Sequence, residues 1–306
     1  MRGKAIIVLE MVIFWSIAYT AAEAVVIPVQ KVYWTDDGTD KIQRANLDGS
    51  GVEDLITSGL VYPAGIAVDA VAGKIYWADQ ATKKIQRANL DGSDVEDLVT
   101  SGLTFPTGIA VDSAGDKIYW TDIRADKIQR SNLDGSCVED LVTTGLSSPY
   151  DIAIDAICGK IYWTDDGIDK IQRANLDGSE VEDLVTFGLS RPCGISLDIS
   201  GGKMYWTDYG TYKIQRANLD GSNIEDLVSS GLHCPLDIDL DVVEGKMYWA
   251  EVFIDKIKRA NIDGSDVEDL VTTGLGTPRY VSLGPIPEPG TVLLLGLGGL
   301  FLRKRR

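Results

Sequence analysis

The chain is poor in the groups that most enzymes work with. Its 306 residues include one histidine, His233, and four cysteines, Cys137, Cys158, Cys193 and Cys234. One imidazole gives no legible Ser-His-Asp arrangement, and His233 reads as an exposed bystander in a connecting loop. Basic residues are scarce too: 29 Lys and Arg stand against 46 Asp and Glu, a formal net charge of -17. The basic residues gathered at the two ends make the body more acidic still. Such a surface repels phosphate backbones and anionic lipid. That excludes nucleic acid as a partner and leaves cations, basic proteins and neutral glycans. No apolar stripe of 3.6-residue period occurs, which excludes helical repeats. Disorder is excluded by 44% hydrophobic and 25% charged residues, ordinary values for a globular protein.

The two ends differ from the body. Arg2 and Lys4 precede a largely apolar stretch from Ala5 to Ala18, and Ala22-Glu23-Ala24 supplies small residues at a cleavage position. Residues 1–24 therefore read as a secretory signal cut after Ala24. At the other end, Pro287-Glu288-Pro289 is followed by an apolar run from Thr291 to Leu302 and by Arg303-Lys304-Arg305-Arg306. As a helix that run rises about 18 Å against a bilayer core of about 30 Å, so it suits a transient tether better than a permanent span. The order of Pro-Glu-Pro, short apolar run and terminal arginines in residues 285–306 resembles the PEP-CTERM sorting tail. The resemblance implies processing by an exosortase-type enzyme and a destination in the cell envelope or outside the cell, often with exopolysaccharide.

Between the ends lies a repeat. Lys31, Lys74, Lys117, Lys160, Lys203 and Lys246 each begin a copy 43 residues after the last, without insertion or deletion before the shortened end of the sixth. A fixed period of this size signals a solenoid, a propeller or an array. Each copy holds four β-like segments. KIYWTD alternates, with Ile and Trp on one face and Tyr and Thr on the other. KIQRANL alternates similarly, the Asp-Gly of NLDGS makes a hairpin turn, VEDLVT is a third strand, and GIAVD suits a strand buried on both faces. Four strands per copy and six copies predict an all-β, six-bladed propeller of four-stranded antiparallel blades. With GIAVD innermost (strand A) and KIYWTD, KIQRANL and VEDLVT as strands B, C and D, the chain enters blade one at strand B. Its missing innermost strand must come from Tyr280 to Gly284, because the alternative donor, Val25 to Val29, carries Pro28.

Tyr33-Trp34-Thr35-Asp36, Tyr119-Trp120-Thr121-Asp122, Tyr162-Trp163-Thr164-Asp165 and Tyr205-Trp206-Thr207-Asp208 resemble the YWTD motif of low-density lipoprotein receptor class B repeats. The second copy departs at Ala78 and the sixth at Ala250 and Glu251. The downstream I-x-R-A/S-N-L-D-G-S and P-x-G-I-A-V-D segments extend the resemblance over residues 31 to 284. It implies one closed propeller, residues 25–284, acting as an extracellular protein-binding module. The flanking epidermal-growth-factor modules of that family are absent, so a receptor role does not transfer.

Residues present once per blade read as architecture. The recurrent Trp and Tyr fill the wedges between sheets. Arg44, Arg87, Arg130, Arg173, Arg216 and Arg259 should pair with the strand-B acids (Asp36, Asp79, Asp122, Asp165, Asp208, Glu251) or with strand-D acids such as Asp54 and Asp97. Asp69, Asp112, Asp155, Asp198 and Asp241, with Gly284 in the sixth place, form a ring that could hold Ca²⁺, the one cofactor considered; no metal site is assigned. Export permits disulfides, and the favoured pairs are Cys193 with Cys234 and Cys137 with Cys158.

Variation among copies concentrates in the B–C turns and D–A connections of one face and in the A–B turns of the other. The first face carries Tyr62, Phe105, Tyr150, Arg191, Tyr209, Tyr212, Phe253 and Arg279, the aromatic and Arg types that anchor interfaces. These eight form the candidate ligand face of a monomeric, non-catalytic binding or scaffold propeller, whose ligand is an envelope protein or exopolysaccharide. Two readings compete with it. One is a purely structural matrix protein. The other is a metal-dependent propeller hydrolase or lyase, which needs an asymmetric cluster of Glu, Asp and Asn in the channel; near-identical copies argue against such a cluster.

Overall fold

A computed structural model describes residues 30–285; the export segment with Ala24, and Pro287, Glu288 and Pro289, lie outside the described residues. Within that span the chain forms six antiparallel sheets of four strands. Blade two shows the pattern, running outward through strands A (Pro63–Asp69), B (Lys74–Asp79), C (Lys84–Asn89) and D (Glu96–Val99). The innermost strands of blades three to six are Pro106–Asp112, Pro149–Asp155, Pro192–Asp198 and Pro235–Asp241. Blade one is completed from the far end of the chain. Strand A, Pro278–Pro285, pairs antiparallel with Gln30–Asp36, placing Lys31 opposite Gly284 and Tyr33 opposite Ser282. The expected closure is thus present, with the strand beginning two residues before Tyr280. The one helical element among the described residues is a 3-10 turn, Val252–Ile254.

Alternation along strand B decides how blades stack. Each Trp of that strand is 0% exposed, and its neighbouring Tyr no more than 2%. The two point to opposite faces of their sheet, so each interface receives a Tyr from one blade and a Trp from the next: Tyr76 packs in one cluster with Trp120, Tyr119 with Trp163 and Tyr205 with Trp249. Each such side chain withdraws roughly 150–250 Å² from water, on the order of 4–6 kcal/mol before entropy. The buried indole N–H still needs an acceptor. Trp34 donates to Gln43 across strands at 3.0 Å, and Gln43 donates to Asp54 at 2.6 Å.

The recurrent arginines do something other than expected. Arg44 takes Glu53, not Asp36 or Asp54, through Nε and Nη2 at 3.0 and 2.7 Å. Its Nη1 donates to the Leu90 carbonyl of the next blade at 2.9 Å. Asp54 is held by Lys41 and Gln43 instead. The register explains the choice, since Arg44 lies opposite Glu53 and Gln43 opposite Asp54. Arg259 reaches the Leu47 carbonyl in the same way and so ties blade six to blade one. The Asp-Gly turns are pinned from the other side. Gly92 has φ +82°, and a Cβ there would lie 2.4 Å from the Leu55 carbonyl oxygen of the preceding blade. Only glycine satisfies both constraints.

Blade six departs from this scheme in two coupled places. Lys258 stands where the other blades have Gln and cannot accept from the indole. Trp249 Nε1 donates instead to Glu251 Oε1 at 3.0 Å, while Lys258 pairs with Asp269 at 3.1 Å. The extra methylene of Glu251 therefore compensates for Lys258. Glu251→Asp should leave a buried donor unsatisfied and cost about 1–3 kcal/mol, and adding Lys258→Gln should recover most of that loss. Urea unfolding of the two single variants and the double variant checks this, because independent, additive losses would contradict the coupling.

Candidate functional site

The acid that ends each strand B organises the loop face. Asp79 accepts Thr82 N of its B–C turn and Val61 N of the preceding D–A connection, at 2.9 and 2.8 Å. Asp36, Asp122, Asp165 and Asp208 hold their own loops alike, and Glu251 accepts His233 N, so the exposed His233 contributes its backbone and not its imidazole. A second carboxylate locks several connections from the B–C side: Asp40 accepts Tyr62 N at 3.1 Å and Asp169 accepts Arg191 N at 2.7 Å. Tyr62, Arg191 and Tyr212 all have φ between 52° and 59°, a conformation bulky residues avoid. In four other blades the slot of Tyr212 is filled by Asp40, Asp126, Asp169 and Asp255, a residue type that tolerates that backbone. The loops are thus preorganised, and Tyr212 is kept against local preference.

The eight face residues separate into groups. Arg191, Tyr209, Tyr212 and Phe253 form one cluster. The Arg191 guanidinium lies 4.4 Å from the Tyr209 ring centroid and bonds Asp166 at 2.9 Å. Tyr209 meets Tyr212 at 6.4 Å and Phe253 edge-on at 6.1 Å. Phe253 is 64% and Tyr212 45% exposed. Phe105 stands apart beneath Arg124, and Tyr62 is exposed without an aromatic partner among the described residues. Tyr150 is not on the surface. It lies on the first half of strand A, next to the axis, where it is buried and stacks on Tyr280 with centroids 6.1 Å apart. Arg279 is drawn inward likewise, donating to Asp37 at 2.9 Å and to the Tyr150 hydroxyl at 3.3 Å.

Two further expectations need correction. All four cysteines are free thiols. Cys193 turns its Sγ to the Arg191 carbonyl, and Cys158 sits beside its own-blade Asp155, whose hydrogen bond with the thiol and whose negative charge raise the thiol pKa. Nor do the inner acids form a ring for Ca²⁺. Asp69, Asp112, Asp155, Asp198 and Asp241 each accept amides of their own A–B turn. Among the described residues no three His, Cys, Asp or Glu side chains gather as a metal-binding group.

The channel is nevertheless asymmetric, a feature the sequence reading missed. Where blades two, three and five carry Gly65, Gly108 and Gly194, the others carry Asp151, Asp237 and Tyr280, and Asp239 stands two residues further along strand A. Asp151, Asp237, Asp239 and Tyr280 line an axial cavity of about 270 Å³. Backbone amides of following blades donate to the acids: Ile195 N to Asp151, Val281 N to Asp237 and Leu283 N to Asp239, at 2.8–2.9 Å. The signal was in the strand-A segments PYDIAID, PLDIDLD and PRYVSLG set against PAGIAVD, a slot-by-slot comparison of a strand treated as uniform.

Comparison with known proteins agrees with this geometry. Residues 30–70, 73–113, 116–156, 159–199 and 202–241 match the low-density lipoprotein receptor repeat class B. The chain belongs to the low-density lipoprotein receptor class B repeat family. The sixth copy, with Ala250, Glu251 and Lys258, lies beyond those matches. Residues 285–306 match the PEP-CTERM protein-sorting motif, which marks this class B propeller for export and association with the envelope. No curated protein matches the chain. Among solved structures, a chain of a nidogen/laminin complex aligns at 25% identity and TM-score 0.77, covering 83% of this chain and 98% of its own. A catalytically inactive virginiamycin B lyase from Staphylococcus aureus, solved with quinupristin, aligns at 18% identity and TM-score 0.62 over 82% and 84%. A gluconolactonase from Xanthomonas campestris aligns at 22% and 0.60 over 72% and 79%. The last two likenesses show the propeller fold alone.

The buried carboxylates give the class B propeller a definite pH dependence. Burial pushes Asp151 up to about 7, raises Asp237 and Asp239, and pushes Asp165 up to about 6. Between about pH 4 and pH 7 the folded chain therefore holds protons that the unfolded chain has lost, and stability falls as pH rises. Carboxylates lowered by their partners, such as Asp54 beside Lys41, lose their contribution only at more acidic pH. Thermal melts should show a higher midpoint near pH 5 than near pH 8, with Asp151 alone worth roughly 3 kcal/mol. Asp151→Asn combined with Asp237→Asn should flatten the slope, and an unchanged slope would assign it to other groups.

Proposed function

We propose that this exported propeller is a non-catalytic binding or scaffold module that captures an envelope protein or exopolysaccharide on its B–C and D–A loop face. The anchor is the Arg191, Tyr209, Tyr212 and Phe253 cluster. The observation that carries this reading is that differences among otherwise equal copies assemble into one exposed aromatic-cationic patch on immobilised loops. Preorganised loops lose little entropy on binding, and aromatic and Arg side chains dominate interface energetics. The nidogen/laminin likeness supports a protein-binding role by analogy.

On this reading the signal is removed after Ala24, and an exosortase-type enzyme acts at the Pro287-Glu288-Pro289 tail after transient tethering. The innermost strand of blade one ends at Pro285, on the face opposite the patch. The link from Pro285 to Pro289 spans roughly 16 Å at most. A tethered molecule then presents the patch away from the bilayer. Labelling on cells should find Tyr209 and Tyr62 accessible; finding both shielded by the membrane would overturn this orientation.

Capture of ligand from envelope extract and exopolysaccharide by the immobilised propeller tests the site. Phe253→Ala and Tyr209→Ala should each weaken binding by about 2 kcal/mol, roughly thirtyfold. Tyr62→Ala and Phe105→Ala should change it less than threefold (about 0.6 kcal/mol). Loss confined to the Tyr62 variant would move the anchor to another sector of the face.

A further inference from the structure

The axial cavity has a chemistry of its own. At one level of the channel, six equivalent slots hold Tyr280, Gly65, Gly108, Asp151, Gly194 and Asp237 in order from blade one. The glycines make room: a Cβ at Gly108 would lie 2.5 Å from Asp151 Oδ1, and one at Gly194 would lie 2.6 Å from Asp237 Oδ1. This level is closed toward the loop face by a cluster that includes Tyr150, Cys193, Leu236 and Tyr280. Toward the A–B turns the inner strands become half-buried, at Ala67 and Val68, Ala110 and Val111, and Ala153 and Ile154. The cavity is therefore a blind pocket with a mixed collar, Ala67, Ala110 and Ala153 on one side and Ser196, Asp239 and Ser282 on the other, opening on the face away from the aromatic patch.

The floor of the pocket has more acceptors than the chain supplies donors. Asp151 is 6% and Asp237 5% exposed, neither belongs to a described ion pair, and each has one oxygen bonded to a backbone amide. Independently of the acids, the Tyr280 hydroxyl is buried in a residue 1% exposed and has no hydrogen-bond partner. Tyr280 lines the same cavity as Asp151 and Asp237. Above the pH at which these buried acids ionise, an uncharged guest leaves the carboxylates without a counter-charge. A divalent metal ion needs several converging ligands, and no such group is present among the described residues. A primary ammonium on a short alkyl stem meets each demand. Its stem lies along the Ala67, Ala110 and Ala153 side of the collar, and its N–H donors reach both carboxylates and the phenol oxygen.

We propose that the channel is a binding site for a small primary alkylammonium ion, with Asp151, Asp237 and Tyr280 as the polar floor. The site is separate from the loop-face patch, so it stands or falls independently of the ligand captured there.

Binding of n-butylammonium chloride to the full chain, followed by calorimetry and by thermal midpoint at about pH 8, tests this. A midpoint raised above that in equal sodium chloride is expected. Tetramethylammonium, which has no N–H donor, should give at least tenfold weaker binding. Tyr280→Phe should weaken butylammonium binding severalfold, and Asp151→Asn with Asp237→Asn should abolish it. Ala110→Phe, which narrows the collar and keeps the acids, should also block entry; this variant decides the matter if the double Asn variant fails to fold. Affinity should fall toward about pH 5, as the acids take up protons. Three outcomes would each overturn the proposal: no midpoint shift with butylammonium, an equal shift with tetramethylammonium, or a shift with calcium chloride that exceeds both.

Discussion

Every interface between blades is a shared wedge, filled from one side by a Tyr and from the other by a Trp of neighbouring strand B segments, all fully buried. Because strand side chains alternate, one dipeptide serves two interfaces, and a blade cannot be well packed unless both neighbours are present. That requirement makes closure obligatory. Blade six would otherwise present its Tyr248 wedge to solvent, and blade one its Trp34. The strand Pro278–Pro285 completes blade one, and Arg259 fastens the outer edge of blade six to the Leu47 carbonyl. The same wedges leave the inner strands close around a narrow axis, so the channel and the loop face both inherit their geometry from the Tyr-Trp pair.

The motif then divides its labour. Tyr and Trp stack the blades. Thr121 donates to the Tyr150 carbonyl of the next blade at 2.8 Å and accepts Gly108 N at 2.9 Å, stitching neighbouring inner strands together. The acid that follows points the other way and sets two loops at once. A tetrapeptide that reads as a packing signature is therefore also what makes the loop face rigid, which is why aromatic residues can be displayed there in unfavourable backbone conformations such as that of Tyr212. Packing, inner-strand linkage and presentation of the loop face are properties of four consecutive residues.

Periodicity made the fold legible: the blade number, the strand order, the faces of KIYWTD and the closing strand all follow from a 43-residue repeat and the period of two along a strand. What it did not reveal is where one residue type has two uses. Arg44 could pair with any nearby acid, and only the register opposite Glu53 settles the choice. Asp69 and its equivalents looked like a ring converging on the axis, yet short Asx-type turns absorbed them one by one. Tyr150 and Arg279 looked like loop residues because they directly follow the Pro of the variable D–A connection, but that Pro already opens the buried start of strand A. Sequence separates strand from loop to within a residue or two, and at a propeller axis that is the distance between an exposed anchor and a buried plug.

Repetition also limits where individuality can reside. A change at a wedge position disturbs two interfaces, and a change at Asp36 or its equivalents disturbs two loops, so these positions vary only with compensation, as Glu251 does beside Lys258. Channel-facing slots carry a different constraint. Gly108 and Gly194 lie so near Asp151 and Asp237 that a side chain at either glycine would collide with the acid of the next blade. Each of these two acids is therefore matched by a glycine in the preceding blade, whereas Asp237 and Tyr280 occupy adjacent slots. Asp151, Gly194 and Asp237 follow in succession, bringing two carboxylates across one glycine to the same side of the channel. The asymmetry is thus partly correlated, because an acid in one blade demands a glycine in the blade before it, and a uniform repeat could not have generated it.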